Sequence, residues 1–243
     1  MKKIILLLAF CLSVGNLFAQ DANADKLREE GDAAMTAKNY PEVVAKYSEY
    51  LKLTNYEDES RIFNCAFAAY NAKKYDDAIK FYDMAIQKGY KADDAYVGKA
   101  MSLRSQDKAA DFTATVEAGL KANAQNANLE KLLYAYCMKK GQAAQKAGKT
   151  EEAEELFKDV LVASNAKYKG NALYSLGVYN AGAKILADAN PIATSDPDKY
   201  AAEKKKADAQ MAKAKGYLEQ AVALNAADAN SKKILDAINA AAK

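Results

Sequence analysis

The 243-residue sequence contains no histidine and no tryptophan, and only three cysteines and three prolines. Without an imidazole it cannot run His-based acid–base catalysis, a Ser-His-Asp or Cys-His nucleophile, or the commonest metal-ligand chemistry. Chemistry based on carboxylates or lysine stays open. No glycine-rich loop that could cradle a phosphate is present, so no cofactor is expected. Few segments alternate apolar and polar residues with β-branched enrichment, so no sheet is expected either. What is abundant is alanine, with many Lys, Glu, Leu and Tyr, residues that lose little on entering a helix. The formal charge is +3 and falls to about +1 without Lys2 and Lys3, which gives no electrostatic basis for binding nucleic acid.

Those two lysines open a leader. They precede an apolar run from Ile4 to Val14 that is too short to span a bilayer, and Leu17-Phe18-Ala19 offers a small residue for cleavage. A signal peptide over 1–19 is expected, with a chain beginning at Gln20 that is exported to the periplasm or secreted. Cys11 raises a lipoprotein alternative, but bulky Phe10 stands where a small residue is wanted. After Gln20 no apolar stretch is long enough to cross a membrane.

The rest of the chain repeats. Residues 59–74 followed by 75–90 read as a helix, a tight turn and a second helix, marked by Ile62, Ala66, Ala69, Tyr75, Ala78, Tyr82 and Ala85. The pattern returns at 24–57 (Leu27, Gly31, Ala34, Tyr40, Val43, Tyr47, Tyr50), weakly at 93–126 (Tyr96, Ala100, Phe112, Val116, Gly119), at 134–167 (Gly141, Ala144, Gly148, Ala153, Phe157, Val160) and from 170 to 226. The small marks Gly31, Ala66, Ala100, Gly141 and Gly177 are 35, 34, 41 and 36 residues apart. The spacing of 41 is expected to lengthen the turn near Asn123 to Leu129. The chain resembles the tetratricopeptide-repeat (TPR) family, whose period is about 34 residues. That resemblance implies an all-α, right-handed superhelical solenoid of about five helix-turn-helix repeats.

The last repeat is elongated. Gly177 and Ala214 are 37 residues apart, about 25 more than in the other repeats, and Asn190-Pro191 and Asp196-Pro197 mark a loop inside the insertion. An inserted helical hairpin over about 183–208 is expected, followed by a capping helix over 228–242 with Ile234, Leu235 and Ile238 on one stripe. Cys65 and Cys137 fall on apolar sides of helices two repeats apart and read as buried thiols, not a disulfide.

The resemblance further implies that the first helix of each repeat lines a concave groove that receives a peptide or protein partner. In this chain the groove-facing positions are Arg28, Glu29, Asp32 and Met35; Phe63, Asn64, Phe67, Tyr70 and Asn71; Val97, Met101 and Arg104; Met138, Gln142 and Gln145; and Tyr174 and Val178. Phe63, Phe67 and Tyr70 share one helix face at i, i+4 and i+7, apart from the packing stripe, and exposed aromatics mark interaction sites. Asn64 and Asn71 carry amides suited to a peptide backbone. The other reading of the three aromatics is that neighbouring segments cover them. Asp32, Asp94 and Gly98 occupy places where the family's carboxylate-gripping members carry Asn or cations, which argues against that clamp.

The expected function is therefore a non-catalytic protein–protein interaction scaffold of the cell envelope. Two alternatives remain. One acts at a membrane surface through Lys204, Lys205 and Lys206 on the basic hairpin. The other is a carboxylate-based hydrolase using Glu151, Glu152, Glu154 and Glu155, although acids at a helix start are explained by the helix dipole.

Overall fold

The computed structural model describes residues 22–181, 190–193 and 195–241. The expected leader (1–19, with Cys11) and the first part of the expected hairpin (183–189) lie outside the described residues. Every regular element among the described residues is helical. The helices are α1 (22–36), α2 (Tyr40–Leu53), α3 (Glu59–Asn71), α4 (Tyr75–Lys88), α5 (Ala92–Ser105), α6 (Ala109–Ala122), α7 (Ala127–Lys146), α8 (Thr150–Asp159), α9 (Ala166–Tyr179), α10 (Pro197–Leu224) and α11 (Ala229–Ala241). None is long and apolar enough to cross a membrane. The chain divides into two compact units, Met1–Gly119 and Leu120–Lys243.

In the first unit consecutive helices pack as antiparallel hairpins, and α3 also touches α5. Each hairpin begins with a helix stop of one kind. Lys38, Lys73 and Asp107 adopt left-handed backbone (φ 57, 60 and 56°). In each case the following N–H bonds back to the last turn: Asn39 to the Ala34 carbonyl at 2.9 Å, Lys74 to Ala69 at 2.8 Å, and Lys108 to Leu103 at 3.1 Å. These bonds satisfy carbonyls that the helix end leaves open. Pro41 then lies in the first turn of α2, where its missing N–H is not needed. Between hairpins, Asp58 caps α3 by accepting from the Arg61 N–H, and Gly89 closes α4 with φ 72°. The core holds Val43, Tyr47, Leu51, Ile62, Cys65, Phe81 and Tyr82.

Two interior glycines of this unit are packing devices. A Cβ on Gly31 would stand 2.4 Å from the Tyr47 ring, and one on Gly98 would stand 2.2 Å from Tyr82. Gly98 therefore admits the Tyr82 ring, a role the sequence reading had not given it.

In the second unit α7 packs on α8, α8 on α9, α9 on α10, and α10 on α11. The turn expected to be long near Asn123 to Leu129 is short. Asn126 caps α7 by accepting from the Leu129 N–H at 3.1 Å, and the extra residues lengthen α7 to 20 residues. The reason is physical: 127–133 is rich in strong helix formers, and Leu129 and Leu133 are fully buried once helical. Gly148 repeats the left-handed stop of the first unit (φ 72°), with the Lys149 N–H bonded to the Ala144 carbonyl at 3.0 Å.

Gly141 meets the Phe157 ring, and Gly177 meets Leu218. Helix α9 ends at Tyr179, where the Asn180 amide bonds back to the Leu176 carbonyl at 2.9 Å. Asp196 caps α10 ahead of Pro197. Buried Ile238 and half-buried Ile234 and Leu235 set α11 against Ala214 and Leu218. Cys65 and Cys137 are both buried and unpaired.

Candidate interaction site

Helix α3 presents the aromatic face expected from the sequence, but its three rings have different surroundings. Phe63 is half-buried. It meets Tyr82 edge-on at 5.8 Å and Tyr90 at 6.3 Å, and the Lys91 ammonium lies 5.2 Å from its centroid. Tyr70 is half-buried with its ring 5.9 Å from Tyr75. Phe67 is 42% exposed and touches Tyr40 edge-on at 6.0 Å. Neighbouring helices thus cover Phe63 and Tyr70 in part, and Phe67 with Tyr40 forms the open end of the row. Asn64 is half-buried, while Asn71 is exposed and donates to the Phe67 carbonyl at 2.8 Å. On α5, Val97 and Met101 are half-buried and Arg104 is exposed.

On the same unit, Asp32 belongs to a polar clamp tying α1 to α2 and α3. Its carboxylate accepts from the Tyr47 hydroxyl at 2.5 Å and from Arg61 Nη2 at 2.8 and 3.1 Å. Partial burial opposes its ionisation, but the hydrogen bonds from Arg61 and Tyr47 and the Arg61 charge outweigh it, so its pKa lies below the usual range. Asp58, which accepts from Tyr50 at 3.0 Å and from the Arg61 N–H, is lowered in the same way against its own burial. Burial, followed by the bond to Asp32, pushes the Tyr47 phenol upward. Arg28 pairs with Asp25 at 3.0 Å, Glu29 is exposed and Met35 is half-buried.

A separate cleft of about 490 Å³ opens between α4, α5 and α6. Ile79, Ile86 and Leu103 line its floor, and the ion pairs Lys99–Asp83 (2.6 Å) and Lys108–Asp76 (3.5 Å) lie at its edge. No sequence signal marked it, because its residues are spread over three helices.

In the second unit Gln142 is exposed on α7 and Gln145 is half-buried. Met138, expected on the groove, is buried and belongs to the core. On α9 Val178 is exposed, and half-buried Tyr174 lines a cleft shared with the α10–α11 turn. Asn171 donates to the Tyr134 hydroxyl at 2.7 Å, and the Tyr134 ring stacks on Tyr168 at 4.4 Å. Buried Glu130 accepts from the backbone N–H groups of Ser164 and, at 3.1 Å, Asn165, which closes the start of α9. Among the described residues no cluster of His, Cys, Asp and Glu suits a metal ion.

The chain is 43% identical to a TPR repeats protein from Bacteroides fragilis of known crystal structure. The two superpose with a TM-score of 0.80 over 90% of this chain and 98% of that one. The chain belongs to the tetratricopeptide-repeat family. Two curated TPR relatives are more distant. Hsp70-Hsp90 organizing protein 1 of Glycine max is 30% identical over 169 residues, and the Hsp70-Hsp90 organizing protein of Triticum aestivum is 28% identical over 166. Those matches cover 66% and 65% of this TPR chain but only 28% and 27% of the relatives' own length. No family model matches the chain.

As a TPR protein it carries an interaction fold, and two of its charged clusters are occupied within that fold. Lys204 pairs with Asp208 at 3.0 Å and Lys206 with Glu203 at 2.8 Å, while Lys205 of the basic run is exposed and has no ion pair among the described residues. At the start of α8, Glu152 pairs with Lys149 at 2.9 Å and Glu154 with Lys158 at 2.6 Å. These acids sit where the positive end of the helix favours them.

Proposed function

We propose that this TPR protein is a non-catalytic scaffold of the cell envelope, exported by the leader over 1–19, and that it holds a peptide or protein segment against the α3–α5 face of its first unit. The observation that carries the reading is Phe67. It is a large aromatic, 42% exposed, on the helix face that the family resemblance assigns to partners, and exposed aromatics of this kind anchor interfaces. Asn64 and Asn71 flank Phe67 on α3 and would offer amides, and Met101 and Arg104 on α5 would add thioether and cationic groups. Gln142 and Tyr174, also expected from the sequence, lie on the second unit.

The test is a pull-down from solubilised envelope with the purified protein beside Phe67→Ala and Phe63→Ala variants. Phe67→Ala removes an exposed ring and is expected to lose partner at least tenfold with unchanged helicity. Phe63→Ala is expected to lower the melting temperature first, because its ring packs on Tyr82 and Tyr90. A partner retained equally by Phe67→Ala would refute the placement. N-terminal sequencing of the exported protein tests the leader, with Gln20 expected as the first residue.

A further inference from the structure

Three helices of the first unit each turn one face to the cleft between α4, α5 and α6. Ile79, Asp83 and Ile86 come from α4 at i, i+4 and i+7, Tyr96, Lys99 and Leu103 from α5 at i, i+3 and i+7, and Asp111 and Thr115 from α6 at i and i+4. The α5 set lies on a different face from Val97, Met101 and Arg104, so the cleft is separate from the face proposed above for a partner. Its volume of about 490 Å³ falls among small-molecule sites, which span roughly 300–1,000 Å³.

The lining is close to neutral, with carboxylates from Asp76, Asp83 and Asp111 against ammoniums from Lys99 and Lys108. An anion entering there meets the carboxylates, and a cation meets the lysines. The Lys99–Asp83 pair, held at 2.6 Å, instead offers a donor and an acceptor side by side. Neither is exhausted by the pairing, because an ammonium has three N–H donors and a carboxylate about four lone-pair sites. Thr115 is only 6% exposed, yet its hydroxyl makes no hydrogen bond among the described residues. A buried hydroxyl without a partner is costly, and this one lines the cleft. Half-buried Tyr96 likewise has no hydrogen-bond or ring partner among the described residues. Beneath these groups lie the aliphatic side chains of Ile79, Ile86 and Leu103.

We propose that this cleft binds an uncharged oligosaccharide. A sugar ring has an apolar C–H face and neighbouring hydroxyls that each donate and accept, which is what an aliphatic floor beside a paired donor and acceptor can use. The C–H face lies on Ile79, Ile86 and the Tyr96 ring. Of two adjacent hydroxyls, one donates to Asp83 and the other accepts from Lys99, and a third meets the Thr115 hydroxyl.

The probes are maltotriose, cellotriose and chitotriose, added to the purified protein up to about 10 mM and followed by amide NMR shifts. At least one is expected to bind, with shifts concentrated at Ile79, Tyr96, Lys99, Leu103 and Thr115. Ala114 is exposed on α6 and lines the cleft, so Ala114→Leu fills it without entering the core and is expected to weaken binding at least tenfold at unchanged melting temperature. Thr115→Val removes a hydroxyl that no protein group satisfies. It is expected to weaken binding about fivefold while the melting temperature holds or rises, whereas Phe67→Ala leaves the sugar unaffected. No binding of any of the three sugars, shifts outside the cleft, undiminished binding to Ala114→Leu, or equally tight binding of an uncharged Ser/Leu decapeptide would each overturn the proposal, the last by pointing to a polypeptide occupant.

Discussion

Replacing Gly141 with alanine should destabilise this protein, although the same change in an ordinary helix stabilises by about 1 kcal/mol. The added Cβ would stand 2.6 Å from Phe157 Cε1, 2.9 Å from Cδ1 and 3.1 Å from Cζ. Phe157 is fully buried, so its ring cannot turn into solvent, and α7 or α8 must shift. Overpacking of this kind costs about 1–3 kcal/mol. Set against the propensity gain, the net loss is about 1 kcal/mol, or roughly 2–4 °C in melting temperature for a chain of this size. Gly170→Ala is the internal control. It lies in the same unit with nothing near its Cβ, and it should stabilise by about 0.5–1 kcal/mol. Urea unfolding followed by circular dichroism measures both, at constant m-value. A Gly141→Ala/Phe157→Leu double variant should recover at least about 0.5 kcal/mol relative to additivity, because the clash and the ring are removed together. If Gly141→Ala stabilises as much as Gly170→Ala, the close approach of α7 and α8 is wrong.

Three further outcomes are expected. Glu130→Ala strands the N–H groups of Ser164 and Asn165 and should cost about 1–3 kcal/mol by thermal unfolding, while Glu130→Gln, which keeps an acceptor oxygen, should cost less. Asp32 and Asp58 have lowered folded pKa values, so the stability they contribute is present above about pH 4 and lost as pH falls through those lower values. Arg61→Met should flatten that acid limb of stability against pH, and parallel limbs for the variant and the parent would count against the clamp. Burial pushes both thiols up, Cys65 to about 12, so iodoacetamide at about pH 8, close to the pKa of an ordinary thiol, should label Cys65 and Cys137 only after unfolding.

The fold class was legible because the small and large packing residues recur along the sequence. Gly31 and Tyr47 are 16 residues apart, as are Gly141 and Phe157, and both pairs meet in the structure. The turns were less legible. Left-handed stops are usually glycine, yet Lys38, Lys73 and Asp107 fill three of them, so composition hid a feature that the hydrogen bonds display. The spacing of 41 fixed that residues were added before Gly141, but not whether they enter a turn or a helix. Buried Leu129 and Leu133 decided for the helix. The aromatic row of α3 was legible as a face, since periodicity gives direction. It does not say what lies opposite, and Tyr82, Tyr90 and Lys91 are what meet Phe63.

The last repeat shows why this architecture tolerates insertion. Leu218 meets Gly177 across 41 residues of chain, where Phe157 meets Gly141 across 16. Treated as a flexible loop, that lengthening raises the closure cost by only roughly 0.8 kcal/mol, because the cost grows with the logarithm of length. Burying one leucine contributes roughly 1.5–3 kcal/mol, and Leu218 is fully buried. The contact between α9 and α10 therefore outweighs the added chain, and the packing surface that receives α11 stays in place. Leu218→Ala tests that balance. Creating a cavity beside Gly177 should cost about 2–5 kcal/mol and weaken the seating of α11, read as faster amide hydrogen exchange at Ile234 and Ile238. Unchanged exchange there would mean that α11 is held by contacts other than the one at Leu218.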